Sequence, residues 1–187
     1  MMDKELKIFK GVDEYNEKIG ESKVICIDFD STVVVEEWPF VGRVLTGAIE
    51  VIKKLISKGH KIILFTQRSP KNKLYSERFK EFIETYPQYY FEENGEQYVD
   101  TLSIALDVFE QNGIELFDYN ANNIWESITD DKSRKVFADY VIDDHNVGMK
   151  LNVHINRYGE KVKCCDWEYL DEFFVNERLY GKYAINY

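Results

Sequence analysis

Three short apolar runs in this chain each stop abruptly at oxygen-bearing side chains, and that recurrence restricts the fold more than any other feature. Val24–Ile27 ends at Asp28 and Asp30, with the hydroxyls of Ser31 and Thr32 just beyond; residues 62–65 end at Thr66; Tyr140–Ile142 ends at Asp143 and Asp144. A short apolar run bounded by polar residues suits a strand covered on both faces, as in the centre of a parallel sheet. In open α/β sheets ligands bind beyond the carboxyl ends of such strands. Three parallel neighbours would therefore gather these groups at one sheet edge.

The intervening segments fit that reading. Thr46 reads as the N-cap of a helix to about Lys58, with Ile49, Ile52, Leu55 and Ile56 on one face and Gly59 as its stop. Strand, helix, strand at this spacing is a βαβ unit with a right-handed crossover. Residues 69–86 read as a helix capped by Ser69, with Pro70 in its first turn and Phe79, Phe82, Ile83 and Tyr86 as its stripe. Residues 87–98 are aromatic and acidic, a loop or a hairpin around Asn94-Gly95. A helix over about 100–112 buries Leu102, Ala105, Leu106 and Phe109, and residues 114–117 read as the next strand, followed by an Asn-rich loop. Asp130 or Asp131 is expected to cap a short helix carrying Lys132, Arg134 and Lys135. Val153, Ile155 and residues 162–164 flank a Tyr158-Gly159 turn, and Asp166 is placed to cap a last amphipathic helix.

Two stretches read differently. Residues 33–43, with Glu36, Glu37, Trp38, Pro39 and Gly42, look too broken for a regular element and suit a flap over the site. Residues 1–22 read as an N-terminal extension. The expected organisation is a single domain over 1–187, with 69–100 an insertion or small lid.

With 187 residues, 44% of them hydrophobic, the chain can bury a sizeable core. The formal charge of -10 disfavours a nucleic-acid polymer as partner, since such binding leans on basic surface, but leaves a single nucleotide open. The start of the chain has no apolar signal core, and no run of about 18 apolar residues occurs anywhere. Cys26 sits in a core strand and Cys164 and Cys165 are adjacent, which fits a reducing compartment. The expectation is a soluble cytoplasmic protein without membrane contact. The three histidines are too scattered for a zinc set.

Four carboxylates at one sheet edge cannot all stay ionised without a counter-charge. A hard divalent cation with oxygen ligands resolves this, and Mg²⁺ is the expected one. Asp28, Asp30, Asp143 and Asp144 are the candidate metal ligands. A cation with open positions attracts phosphate, which Thr66 and Thr32 can meet with hydroxyls and Lys135 with a positive charge; Lys132 competes for the last role. One acid can attack phosphorus to give an aspartyl-phosphate. The other, two residues on and on the same side of an extended chain, can move the protons.

DFDST at 28–32, ILFT ending at Thr66, Lys135, and YVIDD at 140–144 together resemble, in order, the four motifs of the haloacid dehalogenase (HAD-like) superfamily of phosphohydrolases. The segments between look like a small, nearly capless branch of it, over roughly residues 23–148. The resemblance implies a three-layer, Rossmann-like α/β fold: a parallel sheet with helices on both faces and a minimal or small cap. It implies Asp28 as nucleophile and Asp30 as general acid/base. It also implies Mg²⁺ held by Asp28, the Asp30 carbonyl and Asp143 with Asp144 close by, and Thr66 and Lys135 on the phosphoryl group. Ser31 departs from the usual glycine, and His145 stands where that branch often has arginine. DFDSTVVVEE alone also resembles the first motif of phosphoserine phosphatases, including Glu36 and Glu37, though the later motifs fit that group poorly.

The expected function is a Mg²⁺-dependent phosphomonoesterase acting on a small phosphorylated metabolite or nucleotide. The alternatives are a phosphoserine-phosphatase-like or nucleic-acid-end phosphatase and, outside enzymes, a phosphoacceptor or binding domain on the same fold.

Overall fold

The computed structural model describes residues 13–73, 77–129 and 135–181. Helix α1 (13–19) leads into strand β1 (Val24–Ile27). A hairpin of β2 (Val34–Glu37) and β3 (Phe40–Val44) follows, then α2 (Ala48–Ser57) and β4 (Lys61–Leu64). The next section holds β5 (Asn72–Lys73), α3 (Glu77–Thr85), a single 3-10 turn, β6 (Tyr90–Glu93) and β7 (Glu96–Val99). The chain continues through α4 (Thr101–Gln111), β8 (Asp118–Tyr119), α5 (Asn123–Thr129) and β9 (Tyr140–Ile142). It closes with the hairpin β10 (Leu151–Ile155) and β11 (Lys161–Cys165) and with α6 (Trp167–Asn176).

Strands β8, β4, β1 and β9 form, in that order, a parallel sheet flanked by helices. Successive residues of a strand face opposite sides, so β1 feeds two cores. Ile25 and Ile27, with Ile62 and Leu64, pack against α2, α4 and α6 through Ile52, Leu55, Leu102, Phe109, Leu170 and Phe174. Val24, Cys26 and Ile63 pack against Tyr15 and Ile19 of α1, joined by Ile124, Trp125 and Ile128 of α5. Each fully buried aliphatic of this kind contributes roughly 1.5–3 kcal/mol. No helix among the described residues is long and apolar enough to cross a membrane.

Several expectations need correction. Residues 13–19 of the N-terminal extension form a helix that packs on the sheet: Tyr15 is fully buried and its hydroxyl accepts from Asn122 Nδ2 at 2.8 Å. Thr46 does not cap α2; Gly47, at φ 86°, takes that position without a side-chain bond. Ser69 and Pro70 do not open a helix, because Asn72 and Lys73 pair with Val99 and Tyr98 as β5. The strand expected at 114–117 forms later, at β8, and α5 replaces part of the expected loop. The helix proposed at Asp130 or Asp131 starts outside the described residues, and Lys135 stands in a bend. The last hairpin, the Asp166 cap (bonds from the N–H groups of Glu168 and Tyr169) and the Asn94-Gly95 turn form as read.

The flap is a regular hairpin, another correction. Its irregularity is a bulge between Val34 and Glu36, and Gly42 lies so close to it that an added Cβ would meet the Val35 carbonyl oxygen at 2.1 Å. Overpacking of this kind costs about 1–3 kcal/mol. Gly42→Ala is therefore expected to lower the unfolding free energy by that amount, read as a lower denaturant midpoint at unchanged slope; an unchanged midpoint would show that the hairpin shifts freely. The hairpin and the 69–100 section share a cluster of Phe40, Phe79, Phe82, Val99 and Ile104. The section expected as an insertion is thus a small helix-and-sheet unit packed onto the flap.

Candidate active site

The acids lie at the carboxyl ends of the strands because the parallel register puts them there. Cys26 pairs with Val141 and Ile27 with Ile142, so Asp28 and Asp143 leave adjacent strands together, while the Ile27–Leu64 pairing brings Thr66 alongside. The Asp28 N–H donates to the Ile142 carbonyl at 2.9 Å. The chain then turns sharply: the N–H groups of Val33 and Val34 both donate to the Phe29 carbonyl. That turn needs a left-handed residue, and Ser31 supplies it at φ 59°. Glycine would adopt this conformation without a Cβ penalty; here a serine takes it.

Asp28, Asp30, Thr66, Asp143 and Asp144 line one cavity of about 490 Å³, together with Ser31, Glu36, Trp38, Gln67, Arg68, Asn72 and His145. Burial pushes the Asp28 carboxyl up to about 7; a bond from the Phe29 N–H opposes this, and the charges of Asp143, Asp30 and Asp144 add to it. Burial also raises Asp144, with His145 opposing. His145 is raised in turn, chiefly by Asp144. The His145 ring Nδ1 lies 3.2 Å from Asp144 and 3.5 Å from Asp143.

Not every expected residue lines the cavity. Thr32, expected to contact phosphate, is fully buried; its hydroxyl oxygen accepts from the Asp144 N–H at 3.2 Å and so joins the two acid loops. Lys135 is exposed and does not line the cavity, and Lys132 lies outside the described residues. No lysine occurs among the described lining residues. Thr66 does line the cavity; its oxygen accepts from the Arg68 N–H at 3.2 Å, which leaves its own O–H to donate.

Arg68 is the residue the motif reading passed over. Its side chain is fully buried, and it meets Asp30 in a two-pronged ion pair, Nε to Oδ2 at 2.8 Å and Nη2 to Oδ1 at 2.6 Å. The same guanidinium donates to the carbonyls of Pro39 and Phe40 in the flap, at 3.1 and 2.7 Å. It thereby fixes the Asp30 rotamer and ties the flap to the floor. Each carboxylate oxygen keeps a second lone pair for the cavity. The signal was available: an acid pair at a sheet edge calls for a cation nearby, and Arg68 follows a strand end by four residues.

The donor set suits a hard cation. Ligand atoms of Asp143, Asp144 and His145 lie within 4.8 Å of one another, and the Asp28 carboxylate opens into the same cavity. The Asp30 carboxylate is engaged by Arg68.

No protein-family model matches the chain, and no curated protein does. A solved structure of a conserved protein from Bacteroides thetaiotaomicron is similar, with a TM-score of 0.54, 24% identity, and coverage of 84% of this chain and 93% of that one. The similarity is one of fold: a parallel α/β sheet flanked by helices.

Proposed function

We propose that this chain is a Mg²⁺-dependent phosphomonoesterase of the HAD-like kind, acting on a small phosphorylated substrate. The observation that carries the reading is the meeting of Asp28, Asp30, Thr66, Asp143 and Asp144, from three strand ends, in one cavity. Burial and like charge at Asp28 are what a bound divalent cation would offset. Such a cation, held by Asp28, Asp143, Asp144 and the Asp30 carbonyl, would neutralise charge on the transferring phosphoryl group.

The chain's own residues carry the steps. An Asp28 oxygen attacks phosphorus, the ester P–O bond breaks, and the leaving oxygen takes a proton that Asp30 has first accepted from solvent on a cavity-facing lone pair. Thr66 donates to a phosphoryl oxygen as charge grows there. Water then gives a proton to Asp30 and attacks the aspartyl-phosphate, which releases phosphate and frees Asp28. Arg68 keeps the Asp30 carboxylate aimed throughout.

The test is phosphate release from an aryl phosphate with Mg²⁺ and with chelator, together with trapping of a beryllofluoride adduct. Metal-dependent release and an adduct on Asp28 are expected. Release indifferent to chelator, or an adduct elsewhere, would refute the mechanism.

A further inference from the structure

We propose that the alcohol half of the substrate carries no negative charge: the site takes phosphate monoesters of neutral or cationic, hydrogen-bond-donating alcohols and rejects phosphorylated carboxylic acids. This rests on the phosphomonoesterase reading and deepens it.

The charge balance of the cavity points this way. Asp28, Asp30, Asp143 and Asp144 are joined in its lining by a fifth carboxylate, Glu36, against one permanent cation, Arg68. Arg68 is committed to Asp30 and to two flap carbonyls, and its side chain is fully buried. His145 faces Asp143 and Asp144. Even with a divalent cation on the floor, carboxylates outnumber cationic charges before any phosphate enters. A second anion on the substrate therefore meets, among the described lining residues, only cationic groups that already face acids: Arg68 against Asp30 and His145 against Asp143 and Asp144.

The wall away from the strand ends carries two open acceptors. Glu36 is exposed, and its carboxylate has no ion pair or hydrogen bond among the described residues. Asn72 Nδ2 donates to the Ser69 carbonyl and to Thr101 Oγ1, both at 2.7 Å, which fixes the orientation of the amide. Asn72 Oδ1 has no such partner, and no buried side-chain oxygen or nitrogen among the described residues lacks one, so Oδ1 is open to solvent. Gln67 adds a neutral amide and Trp38 a ring. A wall whose only charge is negative, with acceptors open at Glu36 and Asn72, selects donors and repels anions.

The experiment holds the carbon frame constant. Native protein with Mg²⁺ is given 3-aminopropyl phosphate, 3-hydroxypropyl phosphate and 3-phosphooxypropanoate; any compound not turned over is measured as an inhibitor of aryl phosphate hydrolysis. The carboxylate is expected to be about tenfold or more worse than the hydroxyl compound in kcat/KM or inhibition, with the amine equal or better. High salt should narrow the gap, and Glu36→Lys should narrow or reverse it. A carboxylate handled as well as the alcohol, or a gap untouched by Glu36→Lys, overturns the inference. Hydrolysis of the aryl phosphate without discrimination removes this inference alone. No hydrolysis of the aryl phosphate removes the phosphomonoesterase reading and this inference with it.

Discussion

Asp28→Asn is expected to abolish phosphate release and, without divalent cation, to make the protein more stable at neutral pH. The first effect follows from loss of the attacking oxygen, roughly a thousandfold or more in turnover. The second follows from the electrostatics. In the folded chain the Asp28 carboxyl ionises near 7 instead of its ordinary 3.8. Between those values the folded state binds the extra proton, so stability falls as pH rises across that interval and the full penalty applies above it. The interval corresponds to at most roughly 4 kcal/mol. Asparagine keeps the shape without the charge. Thermal melts in chelator at pH 5 and pH 8 should show the variant ahead at pH 8 by up to roughly 10 °C and the gap shrinking at pH 5. Added Mg²⁺ should stabilise the native chain and do less for the variant. A native protein whose melting point rises from pH 5 to 8 in chelator, in step with the variant, would contradict the burial of this charge.

Arg68→Met should be among the most destabilising single changes in the chain. It leaves Asp30 and two flap carbonyls without their donors, and breaking a buried ion pair from one side costs about 3–5 kcal/mol. Denaturant titration should show the midpoint fall without a change in slope. Arg68→Lys should not restore it, because an ammonium cannot reproduce the two-pronged contact. Adding Asp30→Asn to Arg68→Met should recover part of the loss, since the unpaired acid is then gone. Full stability in Arg68→Met would mean that the ion pair does not hold the flap.

The two central strands, β1 and β4, were legible because they are buried on both faces and so read as apolar runs, and the half-exposed β9 because its three residues are apolar or aromatic. Asp28, Asp30, Thr66 and Asp143 were legible because each ends such a run. The failures share a cause: tertiary contacts overrode local signals. Ser69-Pro70 is a strong helix opening, but the Asn72 amide is consumed by Ser69 and Thr101, and the segment pairs with β7 instead. Residues 33–43 looked irregular because Pro39 and Gly42 punctuate them; the bulge that Gly42 accommodates lies in the partner strand, beyond the reach of any local window. Thr32 looked like a site hydroxyl because it follows the acids, yet its contact is an N–H 112 positions away. The cap of α5 was readable in principle, since the Asn122 side chain accepts from the Trp125 N–H at 3.2 Å.

The strand order also sets the history of each newly made molecule. One edge of β1 is covered by β4 soon after it is made, but the other waits for β9; the Asp139 contact to Val24 there spans 115 positions. At roughly 5–20 residues per second on the ribosome, that wait lasts on the order of 6–23 s. Throughout it, a wholly apolar strand lies with one row of backbone groups unpaired, the condition that invites strands of other chains. A chain cut short before Tyr140 would keep that edge open for good. Premature termination or proteolytic loss of the last quarter should therefore yield a species that clumps and recruits chaperones, not a quiet, inactive fragment.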